Sequence, residues 1–580
     1  MDEEQKRMAE ELLFSGEQKP SFAKQLYFGS LDTERVFPFP HGDPSEKKRI
    51  DKLVQDLDAF AKKHINASEI DKNSEIPDSV IEGLGKLGIM GMSIPKEHGG
   101  LGVSQYGYCK AMECLSRHCG STALFVNAHQ SVGMKALLIY GTDEQKKRWL
   151  PGLARGEYIA AFSLTEPTAG SDAAGIKTKA VYNAEKDTYT ITGEKQWTTN
   201  GGIADLLTVM ALTTEETPKG PVDKVTAFLI TPDMPGFRIL DAALEKVGMK
   251  GSKTANLAFD GVEVPAKNIL GPLGGGLKVC LNVLNFGRIT FGSTCTGAAK
   301  ESLERALQHS IDRHQFKRPL CSFPLVKEKI TQMSALAYAM DATTYLTAAL
   351  LDRGEDDFML ESAMLKVFAS DSLWKILYDS MQILGGRSFF TDQPFERMMR
   401  DARLNMIGEG SNEVMRAFIG LVGMRDVGMQ LGTLAEAAKS PVRNSWKILR
   451  FAGQWLARLK LQQIPVSSPE LQEEAKNLAK LTRRFGLAIT RLLAHHKEDI
   501  LERQLELNRI ATAAMAIYTT TAVLSKIDSD LKTEKLKHEL AIAKHYCNYA
   551  NKKAKCALDK ILNPDDINVE ALSDTITAKA

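Results

Sequence analysis

No uninterrupted apolar run in the 580-residue chain reaches the roughly 18 residues that a membrane-spanning helix needs. The sequence therefore predicts a protein that is soluble or lies on a membrane surface. No Cys-x-x-Cys pair occurs among the eight cysteines, Cys109, Cys114, Cys119, Cys280, Cys295, Cys321, Cys547 and Cys556. The first three recur at intervals of five, which is not a usual zinc spacing, and reduced thiols in a reducing compartment are expected. No metal is expected. Neither sign of charge is in excess: the net charge of +2 gives no global pull towards nucleic acid, and no such partner is expected. The acidic start, Met1-Asp2-Glu3-Glu4, is neither the apolar core of a secretory signal nor the Arg-rich, acid-poor leader of a transit peptide.

What is present is organised in blocks. Residues 1–44 read as a loosely held arm, with Pro38 and Pro40 near its end. From Ser45, opened by the breaker Asp43-Pro44, to about residue 155 the apolar spacing is helical, as in Leu53, Leu57, Phe60 and Ala61. Residues 156–270 form a β unit: Thr188-Tyr189-Thr190-Ile191-Thr192 and the runs Leu206–Leu212, Val225–Ile230 and Thr254–Phe259 are rich in β-branched and aromatic residues. Residues 271–428 are helical again, with long amphipathic runs at Ala299–Arg313 and Leu325–Leu351, and 429–580 form a last helical unit. Gly83-Leu84-Gly85-Lys86-Leu87-Gly88 matches Gly-x-Gly-x-x-Gly. It lies within a helical pattern, Asp78–Met90, rather than after a strand, so a dinucleotide fingerprint is not expected there.

Three stretches carry chemistry. In Gly408-Glu409-Gly410-Ser411-Asn412-Glu413 a carboxylate stands between glycines, before a helix whose capping residues turn backbone N–H groups outwards. Glu409 is a candidate general base beside hydrogen-bond donors; an ordinary surface turn reads the same way. Phe162-Ser163-Leu164-Thr165-Glu166-Pro167-Thr168-Ala169-Gly170-Ser171-Asp172 lets backbone and small hydroxyls approach a flat ligand, or is a polar loop. Gln196-Trp197-Thr198-Thr199-Asn200-Gly201-Gly202 offers a stacking face beside two hydroxyls, or a core tryptophan before a turn.

Taken in order, Thr165-Glu166-Pro167 with Gly170-Ser171-Asp172, Trp197-Thr198-Thr199-Asn200-Gly201, Arg313-His314-Gln315-Phe316, Gln382-Ile383-Leu384-Gly385-Gly386 and Glu409-Gly410 resemble the acyl-CoA dehydrogenases. The resemblance spans about residues 45–425. Val36-Phe37-Pro38, His129-Gln130-Ser131-Val132-Gly133, Leu284-Asn285-Phe286-Gly287-Arg288 and the extra helical unit resemble the very-long-chain branch, which includes an assembly-factor sibling. The resemblance implies an α+β, mainly α fold: a helical N-terminal domain, a central β-barrel-like domain, a helical bundle and an extra C-terminal helical domain. It implies FAD. Phe162, Leu164, Thr165, Ser171, Trp197, Thr198 and Thr199, with Ser411 and Glu413, would meet the flavin. Arg313, Phe316, Gln382, Gly385 and Gly386 would hold its pyrophosphate and adenosine across a homodimer interface. Ser171, Asn285, Arg288 and Gly410 would meet the acyl-CoA.

By the same resemblance Glu409 would take the α-proton of an acyl thioester while the flavin accepts the β-hydride, and the electrons would pass to an electron-transfer flavoprotein. Burial would raise the pKa of the base. Branches that carry the base before the arginine matching Arg288 have it where this chain has Gly287, which leaves Glu409 as the matched base. Gly133 and Ala136 are the expected tail-pocket positions, predicting a deep pocket; close helix packing reads the same way. Pro441–Leu461, with Arg443, Trp446, Lys447, Arg450, Trp455 and Arg458, reads either as a basic amphipathic helix for a membrane interface or as a packing helix. The expected place is a bacterial cytoplasm, with contact at the inner membrane, or a mitochondrion if a leader has been removed. An acyl-CoA oxidase and a scaffold that keeps the fold are the alternatives.

Overall fold

The computed structural model describes residues 21–579 apart from 219, 441, 443, 444, 447, 448, 450–452, 454–459 and 532–536. After two short helices, Phe22–Leu26 and Thr33–Val36, come α1 Lys47–His64, α2 Ala67–Asn73, α3 Asp78–Lys86, α4 Gln105–His118, α5 Gly120–Asn127, α6 Lys135–Tyr140 and α7 Asp143–Arg155. A π-helical turn, Ala128–Met134, joins α5 to α6. Seven strands follow: β1 Ala160–Ser163, β2 Lys179–Asn183, β3 Thr188–Thr199, β4 Leu206–Thr217, β5 Gly220–Ile230, β6 Phe237–Asp241 and β7 Thr254–Pro265. The remaining long helices are α8 Gly276–Asp312, α9 Pro324–Asp352, α10 Met359–Leu384, α11 Phe395–Leu404, α12 Asn412–Ala438, α13 Gln472–His496, α14 Gln504–Asp530, α15 Lys537–Asp559 and α16 Asp565–Thr577. The chain packs as two compact units, one of His41–Met333 with Ala369–Ser411, the other of residues 21–40, Ser334–Phe368 and those from Asn412 on.

In the first unit, helices α1 to α5 close over a core that includes Leu57, Ile70, Val80, Leu84, Leu115 and Phe125. The sheet has the order β1-β4-β2-β3-β7-β6, with β5 on the other edge of β4. β3 and β7 pair antiparallel over most of their length, and Tyr189, Ile191, Leu257, Phe259, Val262 and Val264 turn inwards. Each such burial stabilises by about 1.5–3 kcal/mol. The strands expected from β-branched runs are there, and longer than the runs. Three more were not expected: β1, β2 and β6 have four or five residues each. The Gly-x-Gly-x-x-Gly match is structural, as expected. Gly83 presses on Phe60, Gly85 on the Arg155 carbonyl, and Gly88 takes φ +74° just after α3. The breaker Asp43-Pro44-Ser45 forms a side-chain-capped turn, Ser45 N–H donating to Asp43 at 2.8 Å, and α1 begins two residues later.

The second unit corrects the reading of a loose arm. Residues 21–40 are packed: Phe22, Leu26, Tyr27, Leu31, Val36 and Phe39 are buried. Tyr27 donates to the Ile419 carbonyl at 2.6 Å and meets Phe485 edge-on, and Phe39 N–H donates to Ser529 at 2.8 Å. Ala23 N–H donates to the buried carboxyl of Glu361 at 2.7 Å, beside the buried Lys24–Asp357 ion pair at 2.6 Å. α12 runs through residue 429, where the last unit was expected to begin. α14 is long and apolar enough to cross a bilayer by composition, but 89% of that stretch is packed inside the unit, so it is a core helix. Much of the expected basic segment, with Arg443, Lys447, Arg450, Trp455 and Arg458, lies outside the described residues; its described Val442, Trp446 and Leu449 are exposed.

One buried histidine ties the helical layer to the sheet in the first unit. His129, on the π-helical turn, accepts from Ala160 N–H through Nδ1 at 2.9 Å and donates through Nε2 to the Leu153 carbonyl at 3.0 Å. That arrangement requires the neutral ring, and burial pulls its pKa down to about 4. The unfolded chain takes up the proton first, near the ordinary ~6.5. The stabilisation is complete above that value and is lost as pH falls towards 4. Denaturant unfolding across this window is expected to show a component of stability rising by about 1.4 kcal/mol per pH unit, absent in His129→Gln. Equal slopes in the two proteins would contradict this.

Candidate active site

Glu409 follows α11 across a tight turn in which Gly408 N–H donates to the Leu404 carbonyl at 2.8 Å. Its φ is +57° and that of Gly410 is +92°. A non-glycine residue in this region costs about 1–2 kcal/mol, which the surroundings must offset. They do so through Arg288. This guanidinium is buried, donates from Nε to the Glu409 carbonyl at 3.3 Å and from Nη1 to Asn285 Oδ1 at 2.9 Å. Burial draws its pKa down, and the Glu409 carboxylate works against that shift. The Glu409 side chain crosses to α8 and lies against Gly287, where a Cβ would stand 2.6 Å from one carboxyl oxygen and 2.7 Å from the other. Gly287 thus holds the space that the carboxylate occupies. Tyr108, Ser131 and Thr290 form a buried hydroxyl chain, with steps of 2.8 and 3.0 Å. Burial, with the Glu409 charge adding to it, keeps the Tyr108 phenol well above its usual pKa and therefore protonated.

The two sheet stretches come together. Gln196 N–H donates to the Thr165 carbonyl at 2.8 Å, and Ser163 Oγ and Thr198 Oγ1 lie 2.7 Å apart. The β3–β7 register slips between Lys195 and Thr198, and this bulge turns Trp197 outwards, at φ +59° and 61% exposed. Phe162 lies on β1 beside Thr208 of β4. Phe162, Leu164, Thr165 and Thr199 are half-buried, Thr198 is buried, and Ser171 is exposed in a loop whose Gly170 has open space where a Cβ would be.

Beneath them is an ion pair that the sequence reading did not single out. Glu166 receives Lys195 Nζ at 2.7 Å, Thr178 N–H at 3.0 Å and Lys177 N–H at 2.5 Å, while Lys195 also donates to the Leu164 carbonyl at 2.9 Å. Burial would raise the Glu166 carboxyl, but Lys195 and Thr178 together hold it below its usual value. One buried pair thereby closes the loop from Leu164 to Thr178 onto β3. Nothing local in the sequence marked the pair, because the partner of Lys195 lies 29 residues back in the chain.

A second set lies elsewhere. Arg313 follows α8, about 25 residues and so roughly 37 Å of helix from Arg288. Phe316 and Lys317, at φ +51° and +64°, form a two-residue hairpin turn that leaves Phe316 87% exposed. Gln382 donates to Tyr378 at 3.3 Å, and Gly385 and Gly386 have open space where Cβ atoms would be. Arg313 and Arg387 both act on His309, lowering its pKa after burial has done so, which puts two guanidiniums on one face. Phe389, Phe390 and Leu325 are also exposed. Ser411 is half-buried; Glu413 is exposed on the first turn of α12, in the second unit. Gly133 faces β1, and a Cβ there would stand 2.7 Å from Ala160 Cβ, so its small size serves close packing.

Three family models match in chain order: the acyl-CoA dehydrogenase N-terminal domain at residues 47–157, the middle domain at 161–262 and the C-terminal domain at 274–423. The chain belongs to the acyl-CoA dehydrogenase family. Enzymes of this family are FAD-dependent oxidoreductases of CH–CH bonds. A fourth model, of the ACAD9/ACADV C-terminal domain, matches 469–579. The chain is 35% identical to the very long-chain specific acyl-CoA dehydrogenase of Bos taurus over 91% of its own length and 82% of that protein. It is 31% identical to the probable acyl-CoA dehydrogenase FadE10 of Mycobacterium tuberculosis over 100% and 92%. A crystal structure of an acyl-CoA dehydrogenase complexed with FAD from Bacillus anthracis covers 95% of this chain and 94% of its own, with a TM-score of 0.77 at 27% identity. The helical, sheet, helical and further helical order is that of the family fold.

The contact between Gly287 and the Glu409 carboxylate can be tested directly. In Gly287→Ala the new methyl must displace the flexible end of Glu409, so unfolding free energy should change by no more than about 1 kcal/mol. Turnover of an acyl-CoA is expected to fall about 100-fold through misplacement of the carboxylate, with flavin content unchanged. Steady-state kinetics and the flavin absorbance of the purified variant measure both; full activity would contradict the placement.

Proposed function

We propose that this chain removes one hydrogen from each of the α and β carbons of a long- or very-long-chain acyl-CoA, giving the trans-2-enoyl-CoA, the first step of fatty acid β-oxidation. The observation that carries this is the Glu409 carboxylate, presented from a left-handed residue and seated against Gly287, with the Glu409 peptide oxygen held by the Arg288 guanidinium. The donor set and the shape of the sheet site fit FAD. The bulge offers the exposed face of Trp197, hydroxyls stand at Thr165, Thr198 and Thr199, and the loop glycine at 170 leaves room for close approach. When bound, the flavin supplies the hydride acceptor.

The chain's own part is position and proton transfer. Phe162, Leu164, Thr165, Trp197, Thr198 and Thr199 would hold the ring, and Ser171, Asn285, Arg288 and Gly410 the acyl-CoA. The Glu409 carboxylate takes the α-proton. The carbonyl oxygen gains charge as that proton leaves, and the backbone N–H of Glu409 would be a donor to it. Donors of this kind contribute about 3–4 kcal/mol each to the transition state in other enzymes.

Arg313 lies too far along α8 from Arg288 to serve the same end of one cofactor, and Phe316 follows it in the hairpin turn, while Gln382, Gly385 and Gly386 stand at the end of α10. Their exposed aromatic and cationic face supports a homodimer in which each copy holds the pyrophosphate and adenosine of the other's FAD. Long-chain preference is supported by the very long-chain relatives and by the C-terminal domain that the chain shares with that branch. The electron acceptor is an electron-transfer flavoprotein, and the exposed Trp446 and Leu449 support contact of the 441–461 segment with a membrane surface.

Anaerobic absorbance titration of the purified flavoprotein tests this reading. Palmitoyl-CoA is expected to bleach the flavin at near-stoichiometric amounts and octanoyl-CoA only weakly. Bleaching by octanoyl-CoA alone would overturn the chain-length assignment. A yellow protein bleached by neither would overturn the substrate class. Steady peroxide release in air would make it an oxidase.

A further inference from the structure

Away from the flavin site, three side chains that ligate metals converge between two helices of the first unit. Cys114 and His118 are four residues apart on α4, so they share one face of that helix. Asp58 reaches them from α1, and His118 Nε2 lies 2.9 Å from Asp58 Oδ1. The three candidate ligand atoms, Cys114 Sγ, His118 Nε2 and a carboxyl oxygen of Asp58, all lie within 4.8 Å of one another. A tetrahedral zinc ion holds sulfur at about 2.3 Å and nitrogen or oxygen at about 2.0–2.2 Å, so its ligands stand roughly 3–4 Å apart. A small inward movement brings the three side chains to that spacing.

The chemistry favours zinc over harder cations. A thiolate and an imidazole select borderline-soft metals, whereas magnesium and calcium need oxygen donors. Cys114 is buried, and its thiol makes a long contact, 3.9 Å, to the Val54 carbonyl. Burial and the neighbouring Asp58 charge push that thiol up to about 12, so it is protonated until a cation arrives. Binding then transfers the thiol proton to water and forms the sulfur–metal bond. One thiolate and one carboxylate neutralise the divalent charge. His118 and Asp58 keep partial exposure, 19% and 39%, which leaves an entry path and a fourth position for water.

The opposing charges are Lys62, whose Nζ lies 2.7 Å from Asp58 Oδ2, and Arg117, while Glu113 adds a negative one. Lys62 is highly exposed and pairs with Asp58 along the surface of α1, where solvent screens the interaction.

We propose that Asp58, Cys114 and His118 form a zinc site that staples α1 to α4 in the helical N-terminal part of the enzyme. It is separate from the flavin chemistry and does not depend on the substrate assignment. The test uses the full-length flavoprotein with the exposed Cys556 replaced, Cys556→Ser, and zinc or cobalt(II) alone as the probe. One cobalt ion per chain should give the absorption of a tetrahedral thiolate complex in the red, beyond the bands of oxidised flavin. Competition with a chromophoric chelator should show zinc affinity falling at least tenfold in Cys114→Ser and in His118→Ala. It should rise severalfold in the surface variant Lys62→Ala, which removes the competing ammonium and leaves the core intact. Zinc should raise the melting temperature of the parent but not of Cys114→Ser. Absence of a tetrahedral band, or a band unchanged by Cys114→Ser, would overturn the site; so would zinc affinity indifferent to Lys62→Ala.

Discussion

The arrangement on which the site depends is the seating of one carboxylate on one bare α-carbon. Glu409 needs a left-handed backbone to reach α8, and Gly287 must lack a side chain for the carboxyl to lie there. Arg288, the next residue on the same helix, holds the peptide oxygen of Glu409. Adjacent positions on one helix therefore make the space and fix the backbone. The cost is local: a strained residue and a buried cation. It is offset by a hydrogen-bonded guanidinium and by the rigidity of a 37-residue helix that runs through the unit.

The sheet side follows the same logic. Glu166 and Lys195 are a charge pair almost without solvent, and breaking one partner of such a pair typically costs about 3–5 kcal/mol. Its use is positional. It closes the loop after β1 onto the bulged end of β3, where Gln196 N–H donates to the Thr165 carbonyl beside the exposed face of Trp197. A flat ligand bound there meets a surface already ordered before it arrives, which is the condition for orientation without further entropic loss. Arg313, by contrast, lies far along α8, about 25 residues and so roughly 37 Å of helix past Arg288.

Much of this was legible in the sequence. The long strands announced themselves by β-branched runs, the long helices by apolar spacing, and the Glu409 turn by its two glycines. What was not legible was set by distance along the chain. β1, β2 and β6 are too short to carry a period and exist only through their partners. The segment 21–40 looked like an arm because Tyr27 is buried by residues almost 400 positions away. Glu166 sat in plain view within a motif, but its role needed Lys195. Gly133 was read either as a pocket position or as one for close packing, and the residue nearest it is Ala160 of β1, 27 positions on. Asp58 joined Cys114 and His118 only through the pairing of two helices, whereas the interval of five among the cysteines pointed away from a metal.

The central claim is that Glu409 alone moves the α-proton. It is tested most directly by incubating the flavoprotein anaerobically with a long-chain acyl-CoA in deuterium oxide and measuring deuterium at the α-carbon of the recovered thioester. The account predicts incorporation by the parent protein and none by Glu409→Gln, with flavin content and thioester binding retained. Exchange by Glu409→Gln at the parental rate would place the base elsewhere and contradict the account.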